Sequence, residues 1–135
     1  MPGRSVIAQT WWEQAQADLG AARDSAAAGH YEWSCFQAQQ AAEKALKAFL
    51  YQQGRTSIVT HSLRRLLREC VRIDPGFAGL DEHARLLDQY YIPTRYPNGL
   101  DEETPPARYY DQKDSEQCTR SAHSILQHVS PRFAS

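Results

Sequence analysis

No run of about 18 or more apolar residues occurs in this chain, and its first residues lack the apolar stretch of a secretory leader. Cysteine is scarce. Cys35, Cys70 and Cys118 are odd in number and far apart, with no Cys-x-x-Cys spacing, which excludes a disulfide framework and a zinc knuckle. An excess of one charge is lacking too, since a formal net charge of -1 sets up no global field to draw in nucleic acid. His83, His123 and His128 show no His-x-x-x-His or carboxylate spacing of the kind that holds a metal. There is no internal repeat and no alternation of apolar and polar residues long enough for a strand. These absences set the expectation of a soluble, cytoplasmic protein with idle thiols and with no metal or cofactor. At 135 residues the chain reads as a single domain, 1–135, large enough to bury about two-thirds of its unfolded surface without a disulfide or metal.

Helix signals are plentiful. The richest stretch runs from Cys35 to Leu50, where Ala, Leu, Gln, Glu and Lys, all strong helix formers, dominate. Cys35, Ala38, Ala42, Leu46 and Phe49 recur at steps of three and four and so share one face. Gln40, Glu43, Lys44 and Lys47 make a second stripe, dense enough to line a cleft and equally consistent with an ordinary solvated face. Five helices are expected, at about 5–28, 31–53, 61–72, 79–91 and 112–128. The first buries Trp12, Ala15, Leu19 and Ala22 and stops at Gly29, which tolerates a left-handed cap. The third buries Leu63, Leu66, Leu67 and Cys70, and Asp74-Pro75-Gly76 breaks it. The fourth packs through Leu80, Ala84, Leu87 and Tyr91 before Pro93 stops it. The last closes the domain through Cys118, Ala122, Ile125, Leu126 and Val129. Between the last two lies a long Pro-rich loop, 94–110, carrying the acidic Asp101-Glu102-Glu103; loops of that length in compact domains are usually functional or mobile. The pattern implies an all-α fold, an up-and-down helical bundle of four to five helices.

Candidate functional residues gather around that loop and the second stripe. Arg95 follows Pro93 on an irregular turn, where its guanidinium serves either as a five-donor fork for a phosphate or as a structural partner for Glu43. Glu43 is the only acid between Trp33 and Arg68, so Arg95 and Glu43 are expected to approach each other, with Gln40 and His61 nearby. His61 reads as a cleft base or as a partly exposed histidine at a helix start. Lys44 and Lys47 reach a phosphate or stay solvated, and Tyr90, Tyr91 and Tyr96 stack on a base or simply pack. Arg55, Arg64, Arg65, Arg68 and Arg72 form a local basic cluster, which with its interleaved leucines is either a nucleic-acid surface or an amphipathic outer face.

Four segments in register, Ala15-x-x-Asp18-Leu19-x-x-Ala22, Gln39 to Lys47, His61-Ser62-Leu63 and Tyr90 to Pro97, resemble the HEPN domain (higher eukaryotes and prokaryotes nucleotide-binding) over roughly residues 8–130. The resemblance implies an all-α bundle, a homodimer, and work beside a small nucleotidyltransferase in a two-component, toxin–antitoxin-like system. It also implies a nucleotide or RNA ligand, while the lack of a long apolar run sets the expectation of no membrane association. Ribonuclease members of the family are similar in carrying Arg-x4-6-His in a cleft at the dimer interface. Here no His follows Arg95 within the loop. Arg55-x5-His61 and Arg23-x6-His30 match the spacing, yet about one such match is expected by chance, and both lie early in the chain. The reading is therefore a non-catalytic binding module whose ligand cleft comprises Gln40, Glu43, Lys44, Lys47, His61, Tyr91, Arg95 and Tyr96. The alternative is a divergent, metal-independent ribonuclease toxin using His61 and Arg95.

Overall fold

The computed structural model describes residues 4–96 and 103–133. Six α-helices make up an all-α bundle: α1 (Arg4–Ala27), α2 (Tyr31–Gln52), α3 (Leu63–Ile73), α4 (Asp81–Asp88), α5 (Pro106–Tyr109) and α6 (Gln112–Val129). Among the described residues there are also two short 3-10 segments, Pro75–Leu80 and Ser130–Arg132, and no strand.

The hub is α2. It packs against α1 and α6 over long stretches and also touches α3, α4 and α5. Alanines make this possible, because the buried Ala38, Ala41, Ala42, Ala45 and Ala48 let neighbouring backbones approach closely, and α1 likewise buries Ala8, Ala15 and Ala22. Leu46, Phe49 and Leu50 fill the wider gaps. At the α1–α2–α6 junction the buried Ser34 hydroxyl donates to the Ala22 carbonyl at 2.7 Å and lies 2.9 Å from the Ser115 hydroxyl, so the buried hydroxyls there are answered. Gly29 and Gly54 follow the ends of α1 and α2 with φ of 83° and 99°, the left-handed geometry expected of Gly29.

Several boundaries differ from the sequence reading, each for a local reason. Helix α3 starts at Leu63 instead of residue 61, because the Ser62 hydroxyl caps it by accepting from the Arg65 amide. The helix expected over 79–91 is Asp81–Asp88, preceded by a 3-10 segment that Pro75 opens and Asp74 caps. After Asp88 the chain turns, and the Thr94 hydroxyl donates to the Tyr90 carbonyl at 2.6 Å. The loop expected over 94–110 contains the one-turn helix α5, with Pro106 at its first position, where a missing N–H costs nothing. Residues 97–102 of that loop lie outside the described residues. The capping box of Asp111 and Asp114 then starts α6.

The second stripe of α2 is not a solvated face. Glu43 and Lys47 go into the interior with the alanines and with Gln39, while Gln40 and Lys44 stay partly exposed. All three cysteines are buried and free, and burial pushes the Cys70 thiol up to about 12, which keeps it unreactive.

The C-terminal turn is latched to the 3-10 segment. Arg132 pairs with Asp74, donates to the His128 carbonyl at 2.5 Å, and lies over the rings of Phe49 and Phe77. His128 packs edge-on against Phe77 with Nε2 buried and without a partner. Burial, and then the Arg132 charge, hold its pKa below the usual 6.5, while Asp74 opposes them weakly. The unfolded chain thus takes up this proton more readily than the native one, and stability falls as pH drops through about 6.5. Melting temperature is expected to decline between about pH 7.5 and 5.5, and His128→Gln to flatten that decline; equal slopes for both proteins would dissociate His128 from the effect.

Candidate functional site: a buried carboxylate, an imidazole and an aromatic shelf

The site is organised around Glu43, whose residue is 3% exposed in the middle of α2. Such a carboxylate is costly unless charge and hydrogen bonds answer it. Lys47, one turn on and 5% exposed, places Nζ 3.0 Å from Glu43 Oε2. Gln39, one turn back, donates weakly to Oε1 at 3.4 Å and, at the same distance, to the His61 carbonyl. Gln40 donates to the Gln39 side chain at 2.7 Å, and Lys47 Nζ also lies 5.5 Å from the Trp11 ring centre.

His61 comes from the extended segment before α3. Its Nδ1 lies 3.2 Å from Glu43 Oε2, and an ionised carboxylate only accepts, so Nδ1 carries the proton of this bond. Nε2 is left as the second functional nitrogen on a side chain that is 56% exposed. Position comes from Asp88, at the end of α4, whose carboxylate accepts from the Leu63 amide at 2.7 Å, the Arg64 amide at 3.2 Å and the Ser62 hydroxyl at 3.3 Å. That anion at the start of α3 matches the helix dipole and fixes where His61 emerges.

The outer face of the imidazole is an aromatic shelf. His61 stacks on Tyr91 at 5.1 Å and 18°, Tyr91 meets Phe36, and Phe36 meets Trp33. Arg95 lies across it, its guanidinium carbon 4.5 Å from the Phe36 ring centre, 4.7 Å from Tyr91 and 5.3 Å from Tyr96. The backbone uses only one of its donors, Nε to the Tyr91 carbonyl at 3.1 Å, and the two terminal nitrogens have no acceptor among the described residues.

The expected cleft residues therefore separate. Glu43, Lys47, His61 and, through Gln39, Gln40 form one hydrogen-bonded set, joined by the Tyr91 ring to Arg95 and Tyr96. Lys44 turns away and pairs with Asp18 of α1 at 2.6 Å. Among the described residues no ion pair joins Glu43 to Arg95: the carboxylate is taken by Lys47 and His61, and the guanidinium rests on rings. Leu87 and Ile125 are fully buried, as expected of packing residues, whereas Trp33, Ile92 and Tyr96 are exposed. Gln39, Phe36 and Asp88 were missed; the Gln39–Glu43 spacing of one turn was a usable signal, but nothing local marks Asp88. No group of three His, Cys, Asp or Glu residues that would suit a metal occurs among the described residues.

The HEPN domain model matches residues 8–131, which takes in every element of this arrangement. The chain belongs to the HEPN domain family. Solved structures similar to this HEPN domain include TT1696 from Thermus thermophilus, 40% identical with a TM-score of 0.83, covering 93% of this chain and 98% of that one. An archaeal HEPN homologue, ST0689, is 37% identical with a TM-score of 0.76, at coverages of 93% and 96%. A protein of Methanocaldococcus jannaschii that bears the name putative toxin is 27% identical over 128 residues, 89% of this chain and 84% of its own.

The buried pair generates a stability prediction. Glu43→Ala strands the Lys47 ammonium and should cost about 3–5 kcal/mol in urea unfolding, whereas Glu43→Gln with Lys47→Met removes both charges and should recover most of that loss. A double variant no better than Glu43→Ala would mean that the ammonium is not what Glu43 answers.

Proposed function

We propose that this HEPN domain is a homodimeric binding module that holds a nucleotide on the Tyr91–Arg95 shelf and works with a small nucleotidyltransferase in a two-component, toxin–antitoxin-like system. The observation that carries the ligand reading is Arg95. Three rings support its guanidinium and its terminal donors have no protein acceptor among the described residues, a pre-organised fork for phosphate beside rings on which a base stacks. The exposed Trp33, Ile92 and Tyr96 support the dimer, since apolar side chains clustered beside a site commonly belong to an interface. The name of the archaeal relative supports the toxin-like setting.

A second reading, the divergent ribonuclease, draws on Glu43–His61. A carboxylate that holds Nδ1–H leaves Nε2 in the tautomer a general base requires, and Arg95 is one ring away. Against it stands the lack of a His after Arg95 in the loop.

Calorimetry with ribonucleoside monophosphates is expected to show binding that Arg95→Ala weakens by about ten- to a hundredfold, the loss of a charge-assisted fork of about 1.5–3 kcal/mol. Light scattering at tens of micromolar should give a dimer. An RNA assay on wild type, His61→Ala and Arg95→Ala is expected to show no cleavage; cleavage by wild type that both substitutions abolish would replace the binding module with the nuclease.

A further inference from the structure

A second feature adjoins the segment that carries His61. Segment 55–60 and α3 enclose a concavity of about 370 Å3 lined by Arg55, Arg65, Arg68 and Arg72, with Leu50, Ile58 and Leu66 also in its lining. Thr60, one residue before His61, lines it as well, so it begins beside the candidate site. A neighbouring concavity of about 350 Å3 shares Arg68 and Arg72 and adds Arg64 together with Asp81, whose carboxylate lies 3.7 Å from Arg64 Nε.

The charges in this groove are unequal. Glu69 is the single carboxylate in its lining, and it is occupied by Arg55 at 2.7 Å and Arg72 at 3.3 Å. The guanidinium groups of exposed Arg65 and Arg68 have no acceptor among the described residues. Arg65 and Arg68, Arg64 and Arg68, and Arg68 and Arg72 are three or four residues apart on one helix, spacings at which like charges repel. A bound polyanion would relieve that repulsion. Along α3 the three wall arginines, Arg65, Arg68 and Arg72, span roughly 10 Å, which suits successive phosphates of an extended strand better than one compact anion. The groove contains no lysine, and guanidinium forks match phosphate oxygens bidentately. Val59, 87% exposed on the rim, offers an apolar contact for a sugar or base.

We infer that this arginine groove carries the phosphodiester backbone of single-stranded RNA toward the Tyr91–Arg95 shelf. The inference rests on the nucleotide-binding reading of that shelf and makes its ligand the end of a longer strand. An acidic protein segment is the competing occupant.

The test is fluorescence anisotropy with a labelled oligouridylate of about ten residues over a salt series, with uridine 5′-monophosphate as the short probe. Proteins are wild type, the Arg65→Gln/Arg68→Gln double variant and Arg95→Ala. Wild type is expected to bind the oligomer more tightly than the monophosphate. The double variant should lose that gain, with a log K against log salt slope shallower by about 1.4, as for two phosphate contacts on a single strand. Its monophosphate affinity and melting curve should not change. An unchanged oligomer slope in the double variant, or no oligomer binding by wild type, overturns the groove. Loss of the slope together with an absence of monophosphate binding keeps the groove and removes the shelf. Polyglutamate that binds more tightly than the oligomer at equal salt overturns it in favour of an acidic protein.

Discussion

A carboxylate held out of water in the middle of the central helix constrains much of this molecule. Glu43 sits where α2 has neighbours on every side, and the desolvation of a charge there is large enough to require several answers at once. Lys47 supplies the opposite charge, Gln39 a weak donor, and His61 an imidazole N–H. His61 belongs to another segment, so its bond to Glu43 ties α2 to the start of α3, which Ser62 caps and Asp88 holds from α4. Three parts of the chain are thus tied together by one buried acid. The exposed imidazole of the candidate site is the outward end of that bond.

Arg95 shows the opposite solution to the same problem. A guanidinium is weakly hydrated and planar, so it can lie on aromatic faces without a carboxylate. Phe36, Tyr91 and Tyr96 provide those faces, and the Thr94 hydroxyl and Arg95 amide fold the chain back to hold it there. A lysine on the same rings would give up the planar fork that leaves its terminal donors aimed outward. The near-neutral total charge conceals a similar separation, because five arginines, Arg55, Arg64, Arg65, Arg68 and Arg72, collect on α3 and the segment before it beside a single acid, Glu69.

The helices themselves were legible. The three-and-four spacing of Trp12, Ala15, Leu19 and Ala22, of Leu63, Leu66, Leu67 and Cys70, and of Cys118, Ala122, Ile125 and Val129 identifies faces that are buried in the structure. Those patterns follow from helix geometry and need no knowledge of neighbours. Boundaries were less legible where a cap or a proline acts within one turn, as at Ser62, Asp74 and Pro106.

Sequence alone determined that the fold is all-α, because periodicity and residue type are local properties, and the scarcity of acids singled out Glu43 as the carboxylate that Arg95 was expected to approach. Which partner it takes was decided only by tertiary structure. Lys47 is one turn away and His61 is carried there by α3, so both saturate the carboxylate, while the rings of Phe36, Tyr91 and Tyr96 claim Arg95. Lys44 looks equivalent to Lys47 in sequence, yet faces Asp18 on α1. Stripes on a helix specify angles about its own axis; what stands at each angle depends on how the other helices pack around it.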